Sequence, residues 1–303
     1  MYGAAGTTVR GVKVRIGIGT GPTAPDVLGE LVDGIDETGF DSLWLPEILS
    51  VGVPDPWVAL AWAGARRPAL KLGTTALVPG RNLVRLAKQA ATLDMLTDGR
   101  LLLTLVPGLN VQPERGAVGG PARRGALLDE ALPVLRRLWA GERVSHHGEG
   151  IDFDDVTLAP LPAQQPLEVW LGGMTPAALE RCGRLGDGWL PALCTPEEAA
   201  AGRAVIDAAA ADAGRAIDPE HFGVSLGYSH EPLDEHAAAA IARRARNNAV
   251  ADVVPVGLDE LRVFLERFVD VGFSKFVVRP GVPPASWKAE LAALADAVGD
   301  LQT

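Results

Sequence analysis

Short runs of β-branched and aliphatic residues alternate eight times with longer helical stretches, and this alternation narrows the fold more than any other feature of the chain. Runs at 12–19, 42–46, 70–78, 101–106, 167–171, 188–190, 221–228 and 275–278 read as strands. Helical stretches are expected at 24–38, 57–65, 82–96, 123–140, 176–185, 197–213, 233–251, 258–271 and 284–298. The run at 101–106 is almost wholly apolar, as suits a parallel strand buried on both faces. Gly39 sits where a C-cap glycine belongs, and Asp55-Pro56 suits an N-cap followed by proline at the first helical position. Residues 107–121 form a Gly/Pro-rich loop, and 143–166 break the alternation as a hairpin-like insertion.

Eight strands, each followed by helix, give an α/β architecture: a (β/α)₈ TIM barrel with insertions. An open doubly wound sheet would carry a G-x-G-x-x-G turn after its first strand. Gly17-Ile18-Gly19-Thr20-Gly21-Pro22 lacks that spacing and has proline where a helix would open. Residues 12–303 read as one barrel domain and 1–11, small and polar, as a flexible N-terminal leader.

The chain has 303 residues, enough to bury a large core. Net charge is 28 − 38 = −10, which disfavours nucleic acid and anionic lipid as partners. The arginine clusters at 123–124, 136–137 and 243–246 read as solvated helix faces. Cys182 and Cys194 lack metal spacing and read as reduced thiols. His146 and His147 are adjacent, so on a strand they face opposite ways and cannot share a metal. No apolar run is long enough for a membrane helix, and no signal core opens the chain, so a cytoplasmic protein is expected.

Barrel active sites lie at the C-terminal ends of the strands. Those ends carry only three titratable side chains, Glu47, Tyr228 and Arg279, with no histidine or cysteine. Such a set does not suit a hydrolytic triad or a metal site; it suits a cofactor that brings its own chemistry.

Several blocks resemble the luciferase-like monooxygenase superfamily, in its F420-dependent oxidoreductase branch. They are Gly39-Phe40-Asp41-Ser42-Leu43-Trp44-Leu45-Pro46-Glu47, Leu86-Ala87-Lys88-Gln89-Ala90-Ala91-Thr92-Leu93-Asp94 with Asp98-Gly99-Arg100, and Leu185-Gly186-Asp187-Gly188-Trp189-Leu190-Pro191. Arg137-Leu138-Trp139-Ala140-Gly141-Glu142 resembles the entry to that family's insertion. Their order and spacing extend the resemblance from about residue 14 to 280.

The resemblance implies coenzyme F420, or alternatively FMN, at the barrel mouth. Thr74, Thr75 and Ala76 would back the ring, with Thr75-Ala76 a candidate for a non-prolyl cis peptide. Pro107 and Gly108 would flank it. Gly172, Gly173, Met174 and Thr175 would wrap the phosphate, and Arg279 would add charge to the phosphate or acidic tail. Glu47 is the candidate catalytic residue. Several deazaflavin dehydrogenases of the family have a histidine where this chain has Ile48 and a glutamate where it has Leu109. The expected activity is hydride transfer between F420 and a small organic substrate. The alternatives are an FMN-dependent monooxygenase using O₂ and a catalytically silent cofactor-binding barrel. A homodimer and a separate reductase supplying reduced cofactor are the expected partners. Gln89, Asp94 and most of the seven tryptophans read as structural.

Overall fold

A computed structural model describes residues 12–21 and 25–303; the expectation for 1–11 lies outside them. The strands are β1 (Arg15–Gly19), β2 (Ser42–Pro46), β3 (Lys71–Leu77), β4 (Leu101–Val106), β5 (Arg143–His147), β6 (Asp152–Thr157), β7 (Val169–Leu171), β8 (Gly188–Trp189), β9 (Gly223–Tyr228) and β10 (Lys275–Pro280). The helices are α1 (Pro25–Thr38), α2 (Pro56–Arg66), α3 (Leu83–Leu96), α4 (Glu114–Val118), α5 (Arg124–Trp139), α6 (Pro176–Leu185), α7 (Pro196–Asp212), α8 (Glu235–Ala242), α9 (Val250–Val253), α10 (Leu258–Asp270) and α11 (Trp287–Val298).

Eight strands form one parallel sheet in the order β8-β7-β4-β3-β2-β1-β10-β9. Parallel bridges Trp189↔Phe222 and Ala192↔Ser225 join its two ends, so the sheet closes into the expected barrel. β5 and β6 pair antiparallel as the expected hairpin insertion. The caps follow the sequence signals. Asp55 accepts from the Val58 N–H at 3.1 Å with Pro56 at the first helical position, and Gly39 takes φ +75°. Asp94 is buried and ties α3 to the insertion by accepting from the Gln164 N–H at 2.8 Å and its side-chain amide at 2.6 Å, a structural role.

Aliphatic side chains fill the layer between barrel and helices, and indoles fill the lower barrel. Trp44 points inward, where its Nε1 donates to Ser42 Oγ at 2.9 Å. This needs glycine opposite: a Cβ on Gly73 would lie 2.1 Å from the ring. Trp170 likewise depends on Gly188, whose Cβ would fall 2.4 Å from it. Trp44, Leu190 and Val277 cluster there with Leu102 and Trp170 around a lower cavity of about 200 Å³.

The long helix expected at 233–251 is two short helices. Arg246 takes a left-handed φ of +58°, and the chain turns at Asn247-Asn248. The turn is held from outside: Arg246 donates to Leu193 O at 3.0 Å, and Asn248 Nδ2 to Glu198 at 2.7 Å. The 107–121 loop contains the one-turn helix α4, which the sequence reading missed. The expected final helix begins at Trp287, after an N-cap at Ser286.

Candidate active site at the barrel mouth

The C-terminal ends of β2, β3, β4, β7 and β9, with the loops above β4 and β8, enclose a cavity of about 510 Å³. Its wall includes Pro46, Ile48, Thr75, Pro107, Gly108 and Leu109. Leu190 lines both this cavity and the lower one and separates them.

Strand alternation sorts the expected ring contacts. Thr75 and Leu77 line the mouth, and Gly73 on the same face abuts Trp44. Thr74 and Ala76 are fully buried on the opposite face, toward the helices, so only Thr75 of the three presents its side chain to the cavity. The Thr75–Ala76 peptide is trans: every cis bond among the described residues precedes proline. β3 keeps unbroken pairing with both neighbours through this point, Thr75 with Pro46 and Thr104 and Ala76 with Leu105, which a cis bond would disrupt. Thr104 lies on the inward face between Leu102 below and Val106 above, and its buried hydroxyl has no partner.

Glu47 does not stand free in the cavity. Its Oε2 accepts the Leu77 N–H at 2.7 Å and its Oε1 pairs with Arg81. Arg81 also bonds Gln89 at 2.7 Å and lies 5.7 Å over the Trp57 ring. With a donor on each oxygen, Glu47 braces β2 against the start of α3 as one half of an ion pair in the cavity wall. Tyr228 is fully buried and donates to Glu290 outside the barrel, so it is no donor to the mouth.

A second carboxylate escaped the sequence reading. Glu114 on α4 is 3 % exposed, reaches the cavity wall and accepts from the Leu49 N–H at 3.0 Å and the Ser50 N–H at 2.9 Å. Burial opposes its ionisation, but the hydrogen bonds from Ser50 and Leu49 and the charge of Arg124 outweigh it and hold its pKa below the usual range. It latches the loop after β2 to the loop after β4. Only the alternation of Pro, Gly and charge in 107–121 hinted at order there.

The turn at 172–175 has the form the phosphate reading asks for. Gly173 takes φ +101°, and the Thr175 side chain caps α6 by accepting from Ala178 N–H, with Pro176 at the first helical position. A Cβ on Gly172 would meet the Val106 side chain at 3.0 Å, so the wall is close there. Gly172, Gly173 and Met174 line the cavity beside the start of the ten-residue α6, whose N-terminal end is electrostatically suited to an anionic group. Arg279 is not part of this turn: it lies on β10, three strands further round the ring. The turn after α8 adds Arg243, Arg244 and Arg246 to the rim.

The luciferase-like monooxygenase family matches residues 10–262. The chain belongs to this family. An F420-dependent glucose-6-phosphate dehydrogenase from Kineococcus radiotolerans is 30% identical over 177 residues, 55% of this chain and 52% of that one. An F420-dependent hydroxymycolic acid dehydrogenase from Mycobacterium tuberculosis is 30% identical over 165 residues, 51% of this chain and 46% of that one. The matches thus span about half the length of these curated relatives. Among solved structures, an F420-dependent secondary alcohol dehydrogenase superposes with a TM-score of 0.80 at 19% identity, covering 96% of this chain and all of that one. A monooxygenase from Streptomyces bottropensis gives 0.75 at 24% identity, covering 95% and 99%. Both establish the luciferase-like barrel. No described helix is long and apolar enough to cross a membrane, and no described cluster of His, Cys, Asp or Glu could hold a metal ion.

Proposed function

We propose that this protein is an F420-dependent oxidoreductase that moves a hydride between the deazaflavin and a small organic substrate. The observation that carries the reading is the chemistry of the mouth. It has a glycine turn fit for a phosphate and a mostly apolar wall, and both of its carboxylates are already engaged in structure. A site with no unengaged base or nucleophile needs a bound group that supplies the redox step itself. Bound deazaflavin supplies a hydride acceptor and donor. The chain's own part is to hold it: the turn Gly172–Thr175 on its phosphate, Thr75, Pro107 and Gly108 around its ring. The rim arginines suit an acidic tail, and the names of the curated relatives point the same way.

Ile48 and Leu109 are apolar in the wall, so an FMN-dependent monooxygenase, which needs no acid there to protonate an alcohol or ketone, is the second reading. Titration of the protein with F420 and, separately, with FMN, followed by cofactor fluorescence, decides between them. Saturable micromolar binding of F420 with little FMN binding supports the proposal. The reverse preference moves the reading to the monooxygenase, and binding of neither leaves a silent barrel. A homodimer, a separate reductase and a cytoplasmic location remain part of the proposal.

A further inference from the structure

The interior of a (β/α)₈ barrel is ordinarily packed solid by layers of branched side chains. Here the lower layers are incomplete. Gly17, Gly73, Gly188 and Gly223 stand at inward positions on β1, β3, β8 and β9, where a Cβ would run into an indole. Trp44 would lie 2.8 and 2.1 Å from the first two, and Trp170 2.4 and 3.1 Å from the others. The glycines thus admit two indoles, three strands apart round the sheet. The indoles in turn leave a chamber of about 200 Å³ bounded by Leu102, Leu190 and Val277. Close-packed interiors leave few voids larger than a water molecule. An apolar cavity of about 150 Å³ holds a benzene ring, so this chamber has room for one ring and a small substituent.

The chamber has a way in and a polar anchor. Leu190 closes it toward the mouth. Lys71 and Glu168 line its other end with half-exposed side chains, so it opens at the N-terminal rim. Ser42 lines it too and is 2 % exposed. The Ser42 Oγ accepts the Trp44 Nε1–H at 2.9 Å, but the hydroxyl proton reaches no acceptor among the described residues. A buried hydroxyl proton without an acceptor is costly, and an incoming acceptor removes that cost. The charges at the opening do not call for an ion. Arg15 and Lys71 share Asp41, and Lys275 pairs with Glu220. Glu168 has the His221 imidazole beside it at 3.7 Å. An ion of either sign would meet like charge at this rim and lose its water to an apolar chamber above it.

We propose that the lower chamber is a second ligand site, entered from the N-terminal rim, for a neutral single-ring aromatic molecule that carries a hydrogen-bond acceptor. The ring packs among Trp44, Trp170 and Leu102, where indole faces and edges favour another aromatic ring. The acceptor takes the Ser42 proton, completing a chain from the Trp44 indole through the hydroxyl to the ligand. The site is separate from the barrel mouth, and neither reading depends on the other.

Calorimetric titration of the full chain with benzamide tests the proposal, alone and after addition of excess F420. Saturable binding is expected, changed less than about twofold by F420. Benzoate and benzylamine, of the same shape but charged, should bind at least about fivefold more weakly. Leu102→Phe places a larger side chain in the chamber and should weaken benzamide about tenfold or more. Ser42→Ala, which removes the donor, should weaken it about fivefold, the loss of one hydrogen bond. Ser42→Ala removes only one oxygen, so it carries the test if Leu102→Phe fails to fold. Benzamide binding that is absent, or unchanged in the folded variants, overturns the proposal. Benzamide that F420 displaces also overturns it, by placing the ligand in the mouth. Tighter binding of benzoate or benzylamine than of benzamide overturns the assignment to a neutral ligand.

Discussion

The two ends of this barrel are built on opposite electrostatic terms. At the N-terminal rim the cations that start barrel strands have carboxylates: Arg15 and Lys71 share Asp41 at 3.5 and 2.9 Å, and Lys275 meets Glu220 at 3.4 Å. Below the mouth, indoles packed against glycines narrow the bore to a small cavity. At the C-terminal rim the carboxylates are consumed by structure, and Arg243, Arg244 and Arg279 are left without anionic partners among the described residues. Charge balance at one end and unpaired arginines at the other separate the half that holds the barrel together from the half that carries the proposed site.

The largest expected effect lies in the filled half. Trp44→Ala should lower stability by about 3–5 kcal/mol in urea denaturation, because the glycines that admit the indole leave nothing to collapse into its place. F420 affinity of the folded fraction should stay within about twofold, since Leu190 intervenes. A near-neutral Trp44→Ala would break the contrast. Glu47→Gln is next. It leaves Arg81 facing a neutral amide and should cost about 1–3 kcal/mol in thermal unfolding with little change in cofactor affinity. A loss confined to turnover would instead restore Glu47 as a catalytic base. The smallest effect is acid-side. The pKa of Glu114 is lowered in the fold, so its stabilising contribution is present above the ordinary glutamate pKa and is lost as pH falls through the folded value. Loosening of the 107–121 loop below about pH 4.5, read by hydrogen exchange, should be absent in Glu114→Gln, which is already loose.

Much of the barrel was legible in sequence because a closed parallel sheet imposes local patterns: apolar runs, cap residues such as Asp55 and Gly39, and glycine turns before helices. The hairpin insertion and the Gly172–Thr175 turn were readable for the same reason. The errors came where a position is fixed by something distant in sequence. Alternation on β3 turns Thr74 and Ala76 away from the mouth, which depends on the inward Trp44 of the neighbouring strand. Glu47 looked available because Arg81, 34 residues on, is not recognisable as its partner. The helix expected at 233–251 breaks because Leu193 and Glu198 hold Arg246 and Asn248, and that break carries Arg243 and Arg244 to the rim. Glu114 was hidden in a loop whose order comes from Leu49 and Ser50 on another strand's loop.

Hydrogen–deuterium exchange of the protein with and without saturating F420 tests the contrast between the two ends most directly. The account predicts added protection at the C-terminal mouth, in 107–111 and 172–175, and none at the N-terminal strand starts around residues 15, 71 and 275. Protection at the N-terminal rim, or none at the mouth despite measured binding, would contradict it.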